Sequence, residues 1–216
     1  MKNHIEEFKN GNKVLRIYHD QDPPDPREWD NLGTMVCVHR RYRLGDSETT
    51  KAEQEIILNA GSWENAEDEL IAYYRENGDP IVAILPLYLY DHSGITMRTW
   101  SYGDIWDSGQ VGFIFATESM VRKSFIIGDD DKLSAKIKDR VNQSLKDEVH
   151  VYDQYLTGDV YGYRVFDLEK CNACGHIDEA EVDSCWGFYG SNWQENGLLE
   201  SAGNEWMSVM SSVSPA

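Results

Sequence analysis

Three apolar runs lie close together in the middle of this sequence and constrain its fold more than any other feature. They occupy residues 81–90, 95–100 and 111–117. Polar segments separate them, YDHSG at 90–94 and WDSGQ at 106–110, and both contain the Asp, Ser and Gly typical of turns. A near-continuous apolar run such as 81–90 is typical of a central strand covered on both faces. The sequence therefore predicts three neighbouring strands joined by turns.

Further strand and helix signals lie on either side of this region. Apolar patterning predicts strands at residues 13–19, 34–42, 160–168 and 180–188. Apolar residues at helical spacing predict helices at 62–76, 118–125 and 132–156, with a closing helix in the tail. Ser62 is expected to cap the first helix, and the aspartates at 129–131 are expected to stabilise the start of the longest one. Leu44-Gly45-Asp46 is expected to end the strand at 34–42, and a polar, mobile segment is expected to follow to about Gly61.

The order of these signals predicts the fold class. Strands follow one another in hairpins, and no alternating strand–helix–strand rhythm is present, so we expect an α+β fold. It would contain a mostly antiparallel sheet of about six or seven strands, packed with two or three helices, the longest near 132–156. We expect a single domain over residues 13–212, a polar lead-in at 1–12 and a frayed tail at 213–216.

The net charge of −18, from 38 acidic and 20 basic residues, restricts the partners of the protein. A field of this sign opposes binding to phosphate backbones, so no direct nucleic-acid binding is expected. It favours a partner with a basic surface, including a protein or protein–RNA complex whose surface is built to hold nucleic acid. The alternative is that the acidity only maintains solubility or reflects a salt-adapted host.

The sequence also indicates where the protein acts. No run approaches the roughly 18 apolar residues of a membrane-spanning helix, and the N-terminus lacks the apolar core of a secretory signal. Four cysteines in 216 residues do not suggest a disulfide framework. We expect a cytoplasmic protein that does not bind membranes.

Four polar motifs at the predicted strand and helix ends each place an Asp beside an aromatic residue and near a Gly: YDHSG, WDSGQVG, YDQYLTGDVYG and DSCWGFYG. Their candidate binding residues are Asp91, His92, Asp107, Ser108, Gln110, Asp153, Asp159 and Asp183. If these converge, they would form an acid–base or divalent-metal site with His92 as the proton carrier. The alternative is that they accept backbone hydrogen bonds in turns. No nucleophile elbow, phosphate loop or HExxH motif is present, so no residue is assigned as catalytic or as a metal ligand.

The segment CNACGH at 171–176 has the CxxCG form of a zinc knuckle. We expect no cofactor, but a structural zinc held by Cys171, Cys174, His176 and Cys185 is the alternative. Against zinc, Cys185 lies in a predicted strand and no second close cysteine pair is present.

Together with PREWDNLGTMVCVHRRYRLGD at 26–46, the four polar motifs resemble a family of uncharacterised proteins encoded by phages and other mobile genetic elements. The resemblance covers most of residues 26–190. That family has no established activity, so the resemblance implies a context and no catalytic residue. The context favours accessory proteins that neutralise host defences or redirect host machinery.

Two functional hypotheses follow. The first is a binding protein of anti-CRISPR or anti-restriction type, whose carboxylates mimic the phosphates of nucleic acid and whose Trp and Tyr residues anchor the contact. The second is a small enzyme or nucleotide-binding protein with a polar site formed by the YDHSG, WDSGQVG and YDQYLTGD turns. The missing catalytic signature favours the first.

Overall fold

A computed structural model of the protein describes residues 4–103, 106–128 and 131–211. By its internal contacts the chain divides into two compact units. We call Asp25–Thr157 the central unit, and the residues up to Pro24 together with those from Gly158 the terminal unit. The single domain expected over 13–212 stays a prediction. The expected tail at 213–216, Asp129 and Asp130 lie outside the described residues.

The predicted α+β class is confirmed, and every pair of neighbouring strands in the described residues is antiparallel. The described residues form eight strands in two four-stranded antiparallel sheets, with six α-helices and a short 3₁₀ helix at Pro26–Glu28. These are more strands and helices than expected, and the strands form two sheets rather than one. Of the described helices, none is both long and apolar enough to cross a membrane.

The sheet of the central unit has the strand order β3-β6-β4-β5. Its strands are β3 (Thr34–Cys37), β4 (Ile81–Asp91), β5 (Ile95–Arg98) and β6 (Ser108–Thr117). The three strands predicted from the central apolar runs are therefore neighbours. Pro86 lies in β4 before the stretch Tyr88–Asp91 that pairs with β5, so it occupies a locally unpaired side of the strand, where proline is tolerated.

Helices cover both faces of this sheet, which explains the apolar runs at 81–90 in β4 and 111–116 in β6. They are α1 (Lys51–Asn59), α2 (Trp63–Glu76), α3 (Glu118–Phe125) and α4 (Ala135–Thr157). Successive residues of a strand point to opposite faces. Ile114 therefore packs in the cluster that contains Leu145 of α4, whereas Phe113 and Phe115 pack in the cluster that contains Leu70 of α2.

Local hydrogen bonds set the helix boundaries. The Ser62 hydroxyl accepts a hydrogen bond from the Asn65 amide at 3.2 Å, which confirms the predicted cap of α2. The long helix α4 begins at Ala135 rather than 132, because the Ser134 hydroxyl accepts from the Ile137 amide at 3.3 Å and fixes the start there.

Two expectations for the segment from 34 to 61 were wrong. The strand expected over 34–42 ends at Cys37, since the Nδ1 of His39 accepts hydrogen bonds from the amides of Arg41 and Tyr42 and turns the chain. The polar segment expected to be mobile contains α1, whose Ile57 is buried against the central sheet. Tertiary packing thus stabilises a helix that the polar local sequence does not indicate.

The terminal unit has the strand order β1-β2-β7-β8. Its elements are β1 (Glu6–Asn10), β2 (Lys13–His19), β7 (Val160–Lys170), β8 (Ile177–Tyr189), α5 (Leu198–Ala202) and α6 (Asn204–Ser211). Leu15, Tyr163 and Trp206 form part of one buried cluster. The expected polar lead-in thus contains a strand, because Phe8 pairs with Leu15 and packs against this cluster. The predicted hairpin is confirmed, with residues 171–176 at its tip.

Candidate functional site

The YDHSG and WDSGQVG turns lie side by side at one end of the central sheet. Tyr90 pairs with Ser108 across β4 and β6, and the Asp91 amide donates to the Asp107 carbonyl at 2.8 Å. The Nδ1 of His92 lies 3.3 Å from the Asp107 carboxylate. Antiparallel pairing therefore brings together four of the predicted site residues.

The Asp91 carboxylate already has two partners. It accepts hydrogen bonds from the Arg41 guanidinium and from the Tyr42 hydroxyl, the latter at 3.2 Å. The His39 ring stacks on Tyr42 with centroids 5.0 Å apart, and burial lowers the pKa of His39. Asp91 thus anchors the loop after β3. Arg41 and Tyr42 were not predicted as its partners, because no local pattern connects them to Asp91.

His92 and Asp107 form an exposed pair. The His92 side chain is 63% exposed, and its ring lies 6.3 Å from that of Tyr90. A carboxylate that holds one nitrogen of an imidazole leaves the other free to accept or donate a proton. The pair is thus able to carry protons, although its exposure gives water free access.

Asp153 connects α4 to β5. Its carboxylate accepts from the Thr96 hydroxyl at 2.6 Å and from the Met97 amide at 2.7 Å, and the Tyr102 hydroxyl donates to Thr96 at 3.3 Å. Burial raises the pKa of Tyr102. The Tyr102 ring lies 5.5 Å from that of Tyr90. Asp153 is therefore linked through Thr96 and Tyr102 to the turns that contain His92.

A cleft of about 250 Å³ lies between β5 and α4. Asp153, Trp100, Tyr102, Lys146 and His150 line it. The Arg98 guanidinium lies 3.6 Å from the Tyr102 ring centroid and donates to the carbonyls of Trp100 and Ser101, so it orders the loop that forms one wall. We call this space the β5–α4 cleft. Its wall residues other than Asp153 were not predicted.

The other predicted residues have local roles. Gln110 donates to the Gly112 carbonyl of its own strand at 3.3 Å. In the terminal unit, Asp159 accepts from the Tyr161 hydroxyl at 2.7 Å and Asp183 accepts from the Tyr163 hydroxyl at 3.0 Å. Burial and the bond to Asp159 raise the pKa of Tyr161 to about 12. These three residues therefore make contacts within their own strands or with a neighbouring tyrosine, and they do not join the His92–Asp107 pair.

A largely buried ionic cluster connects two loop segments, PREWDN at 26–31 and RLGD at 43–46, to α4. Arg27, 5% exposed, donates to both carboxylate oxygens of Asp46, to Glu148 and to the Gly33 carbonyl. Glu148 also accepts from the Leu32 and Gly33 amides. Burial opposes the charge of Arg27, but its carboxylate partners outweigh burial and raise its pKa, whereas burial raises the pKa of Glu148. Because every group is paired, we assign this cluster to folding.

The zinc set weighed as the alternative, Cys171, Cys174, His176 and Cys185, is not assembled. Cys185 pairs with Tyr163, whereas Ile177, the first residue after the tip, pairs with Lys170. Eight residues of strand separate Cys185 from the tip, or ~26 Å at 3.3 Å per residue. Among the described residues, no group of three or more His, Cys, Asp or Glu side chains is placed to hold a metal ion. The four-ligand site with His176 and Cys185 was therefore wrong.

Strand β8 forms one edge of the terminal sheet. Within its thirteen residues it carries Asp178, Glu179, Glu181 and Asp183, and no Lys or Arg. Three large apolar side chains on the same strand are exposed, Ile177, Val182 and Trp186. We call this strand with its side chains the β8 edge.

Trp186 is held flat on the sheet. A Cβ atom at Gly162 would lie 2.2 Å from its ring, so only glycine leaves room for it. The Arg164 guanidinium lies 5.7 Å from the ring centroid, and the Tyr18 ring lies 6.2 Å away. Trp186 is still 41% exposed. It is thus a pre-oriented aromatic surface beside the carboxylates of the β8 edge.

No family model, no curated protein and no solved structure matches this chain. The resemblance to proteins of mobile genetic elements therefore stays a hypothesis. The geometry of the β8 edge, the His92–Asp107 pair and the β5–α4 cleft is the basis for the function proposed below.

Proposed function

We propose that this protein is an accessory protein of a phage or other mobile element that binds a host nucleic-acid-acting defence complex. Its β8 edge would occupy a basic surface that the complex uses for nucleic acid. The observation that carries this proposal is the placement of four carboxylates and an exposed Trp186 on one edge strand.

An edge strand offers backbone N–H and C=O groups to an added strand. A partner segment rich in Lys and Arg would gain these hydrogen bonds, and the carboxylates of β8 would attract it from a distance. Trp186 supplies the large, rigid aromatic contact typical of binding hot spots. A second copy of β8 is a poor occupant, because pairing would bring carboxylates close to carboxylates.

The test is capture of partners from lysate of the host by the tagged protein at low and high salt. A supporting partner is captured at low salt, lost at high salt and displaced by excess duplex DNA. It is also lost when D178N/E181Q replaces two exposed carboxylates of β8. Asp183 and Glu179 are left intact because they form hydrogen bonds of 3.0 Å or less with Tyr163 and Arg16. The replaced carboxylates make longer contacts, Glu181 at 3.7 Å to Arg164 and Asp178 at 3.3 Å to His176.

The matched control is D68N/E69Q, which removes the same charge from the exposed face of α2. It should leave capture unchanged, and W186A should weaken capture without changing the net charge. A partner that both charge variants lose equally, or that neither loses, would contradict docking on the β8 edge.

We propose a nucleotide-binding role as the second candidate, because the His92–Asp107 pair and the β5–α4 cleft are linked through Tyr90 and Tyr102. Lys146 would meet the phosphates and Trp100 the base. The test is the change in melting temperature with ATP or GTP. K146A should abolish a stabilisation that K136A, on the exposed face of the same helix, retains. No stabilisation of the wild type would rule this role out.

A further inference from the structure

A cavity of about 410 Å³ lies in the central unit between helix α1 and the loop that follows β3. Residues of the loop 38–44 line one side of it. Gln54 and Leu58 line the other side from one face of α1, since residues four apart on a helix are neighbours. We call this space the loop–α1 cavity. Its volume lies within the range of about 300–1,000 Å³ that is usual for small-molecule sites.

Part of the wall of the loop–α1 cavity is apolar. Cys37 and Leu44 line it and are both buried, whereas Leu58 lines it and is 70% exposed. A ligand with an apolar chain would cover Leu58 and remove its surface from water, which is favourable in proportion to the area covered. The cavity therefore offers such a chain both a buried wall and an exposed side chain to pack against.

The charged side chains of the cavity have the sign opposite to that of the whole chain. Arg40 and Arg43 line it, and its described lining residues include no Asp or Glu, although the net charge of the chain is −18. Arg40 is exposed and forms no ion pair with any described residue. Arg43 pairs with Glu48, and both of those side chains are largely in water. The cavity thus presents positive charge beside an apolar wall.

Two further hydrogen-bond donors line the cavity. The Nδ1 of His39 accepts from the amides of Arg41 and Tyr42, so the neutral ring carries its proton on Nε2. Neither this N–H nor the Ser47 hydroxyl, which also lines the cavity, donates to another described residue. Both groups are able to donate to an anion, and hydrogen bonds to an ionised acceptor are stronger than those between neutral groups.

Contacts with the rest of the central unit hold the loop in place. At its start the Val38 amide donates to the Val111 carbonyl at 2.7 Å, and just after its end the Gly45 amide donates to the Tyr152 hydroxyl at 2.9 Å. Between these points the Asp91 carboxylate holds the middle of the loop through the hydrogen bonds described above. A ligand therefore does not have to order the loop, which lowers the entropic cost of binding.

We propose that the loop–α1 cavity binds a small amphipathic anion, a carboxylate on an apolar chain. The carboxylate contacts Arg40 and Arg43, and the chain covers Leu58. Arginine suits this head group because its planar guanidinium can hold a carboxylate through two parallel hydrogen bonds. The field of the whole chain repels anions, so preference for an anion is a property of this cavity and not of the overall charge. The proposal does not depend on the proposed function, because it uses neither the β8 edge nor the β5–α4 cleft.

The experiment titrates the purified full-length chain with octanoate by isothermal titration calorimetry, and amide chemical shifts of the labelled protein locate the site. We expect saturable binding of one octanoate per chain, with shift changes within residues 37–58. Butyrate has the same head and a shorter chain, and should bind at least about tenfold more weakly because it covers less apolar surface. 1-Octanol has the same chain and no charge, and should also bind at least about tenfold more weakly.

The variants separate the two halves of the site. R40Q/R43Q should weaken octanoate binding at least about tenfold, and L58N at least about threefold. All three positions are exposed, so the melting temperature should stay that of the wild type. The matched control is R75Q/K136Q, which removes the same charge from exposed positions outside the cavity and should bind octanoate normally.

Four results would each overturn the proposal. They are no saturable octanoate binding by the wild type, 1-octanol bound as tightly as octanoate, equal weakening by R40Q/R43Q and R75Q/K136Q, and shift changes confined to residues outside 37–58. The proposed function is tested separately, because capture of a partner from lysate is measured with D178N/E181Q, which leaves the loop–α1 cavity intact.

Discussion

Arg27 and Asp46 meet through two parallel hydrogen bonds, each with a nitrogen–oxygen distance of 2.9 Å. Glu148 is the third member of the cluster, 3.0 Å from another nitrogen of Arg27. Removing the arginine would leave two buried carboxylates without a counter-charge. We therefore expect Arg27→Ala to lower the free energy of unfolding by about 3–5 kcal/mol, as measured by urea denaturation followed by circular dichroism.

The control for Arg27→Ala is the pair of Arg43 with Glu48, which has a similar distance of 2.9 Å but side chains that are 87% and 69% exposed. Water screens this pair, so Arg43→Ala should cost less than about 1 kcal/mol. Similar losses in the two variants would mean that the Arg27 cluster does not contribute through its burial.

Gly112 and Gly109 lie in the same strand, β6, but only Gly112 needs to be glycine. A Cβ atom at Gly112 would lie 1.9 Å from the Val36 carbonyl oxygen, whereas one at Gly109 would meet no atom within 4 Å. Gly112→Ala would therefore force β3 away from β6 and should destabilise the protein by about 3 kcal/mol or more. Gly109→Ala should change stability by less than about 1 kcal/mol. Thermal melts of the two variants and the wild type measure the difference.

Asp79 caps α3 from outside the helix. Its carboxylate accepts from the Ser119 amide at 2.8 Å and from the Ser119 hydroxyl at 2.6 Å. Partial burial raises the pKa of Asp79, but the hydrogen bonds from Ser119 and Thr117 outweigh it and lower the pKa overall. The ionised carboxylate is thus favoured by folding. Its contribution is complete above the ordinary Asp pKa of about 3.9 and is lost as the pH falls through the lowered value.

We expect Asp79→Asn to lower the free energy of unfolding by about 0.5–1 kcal/mol at pH 7, because this exposed cap is only partly screened from water. The difference from wild type should shrink below about pH 4, where the unfolded chain takes up the proton. Urea melts at several pH values measure it, with Asp68→Asn as the control. A difference that is independent of pH would contradict a charged cap.

Cys37 and Cys171 should differ strongly in reactivity. Burial raises the pKa of the Cys37 thiol to about 12, whereas hydrogen bonds from the Cys174 and Ala173 amides lower the pKa of Cys171. The thiolate is the reactive form. With iodoacetamide at pH 8 and a chelator present, peptide mass spectrometry should find Cys171 alkylated first and Cys37 unmodified. In urea the four cysteines should react at similar rates, and early alkylation of Cys37 in the folded protein would contradict its burial.

Local signals in the sequence were sufficient for most strands and helix starts. The apolar run at 81–90 became β4, and Ser62 caps α2 as predicted. These features depend on neighbouring residues alone. Hydrophobic alternation and capping act over a few positions and are therefore visible in a sequence.

The candidate site was only partly predictable. The pairing of β4 with β6 brings Asp91 and Asp107 together, and the sequence left open whether the two turns meet. The wall of the β5–α4 cleft depends on where α4 crosses β5, and no local pattern gives that crossing. Lys146 and Trp100 were therefore missed.

The sequence by itself determined the α+β class, the hairpins, the acidity and the cysteine turn, because each is set by composition or by residues close in the chain. Only the tertiary structure decided that Arg27 meets Glu148, which is 121 residues away, and that a polar segment folds as α1. It also decided that Cys185 lies far from the hairpin tip. Such contacts depend on long-range packing and strand register, whose free energies are summed over the whole core and leave no pattern at any single position.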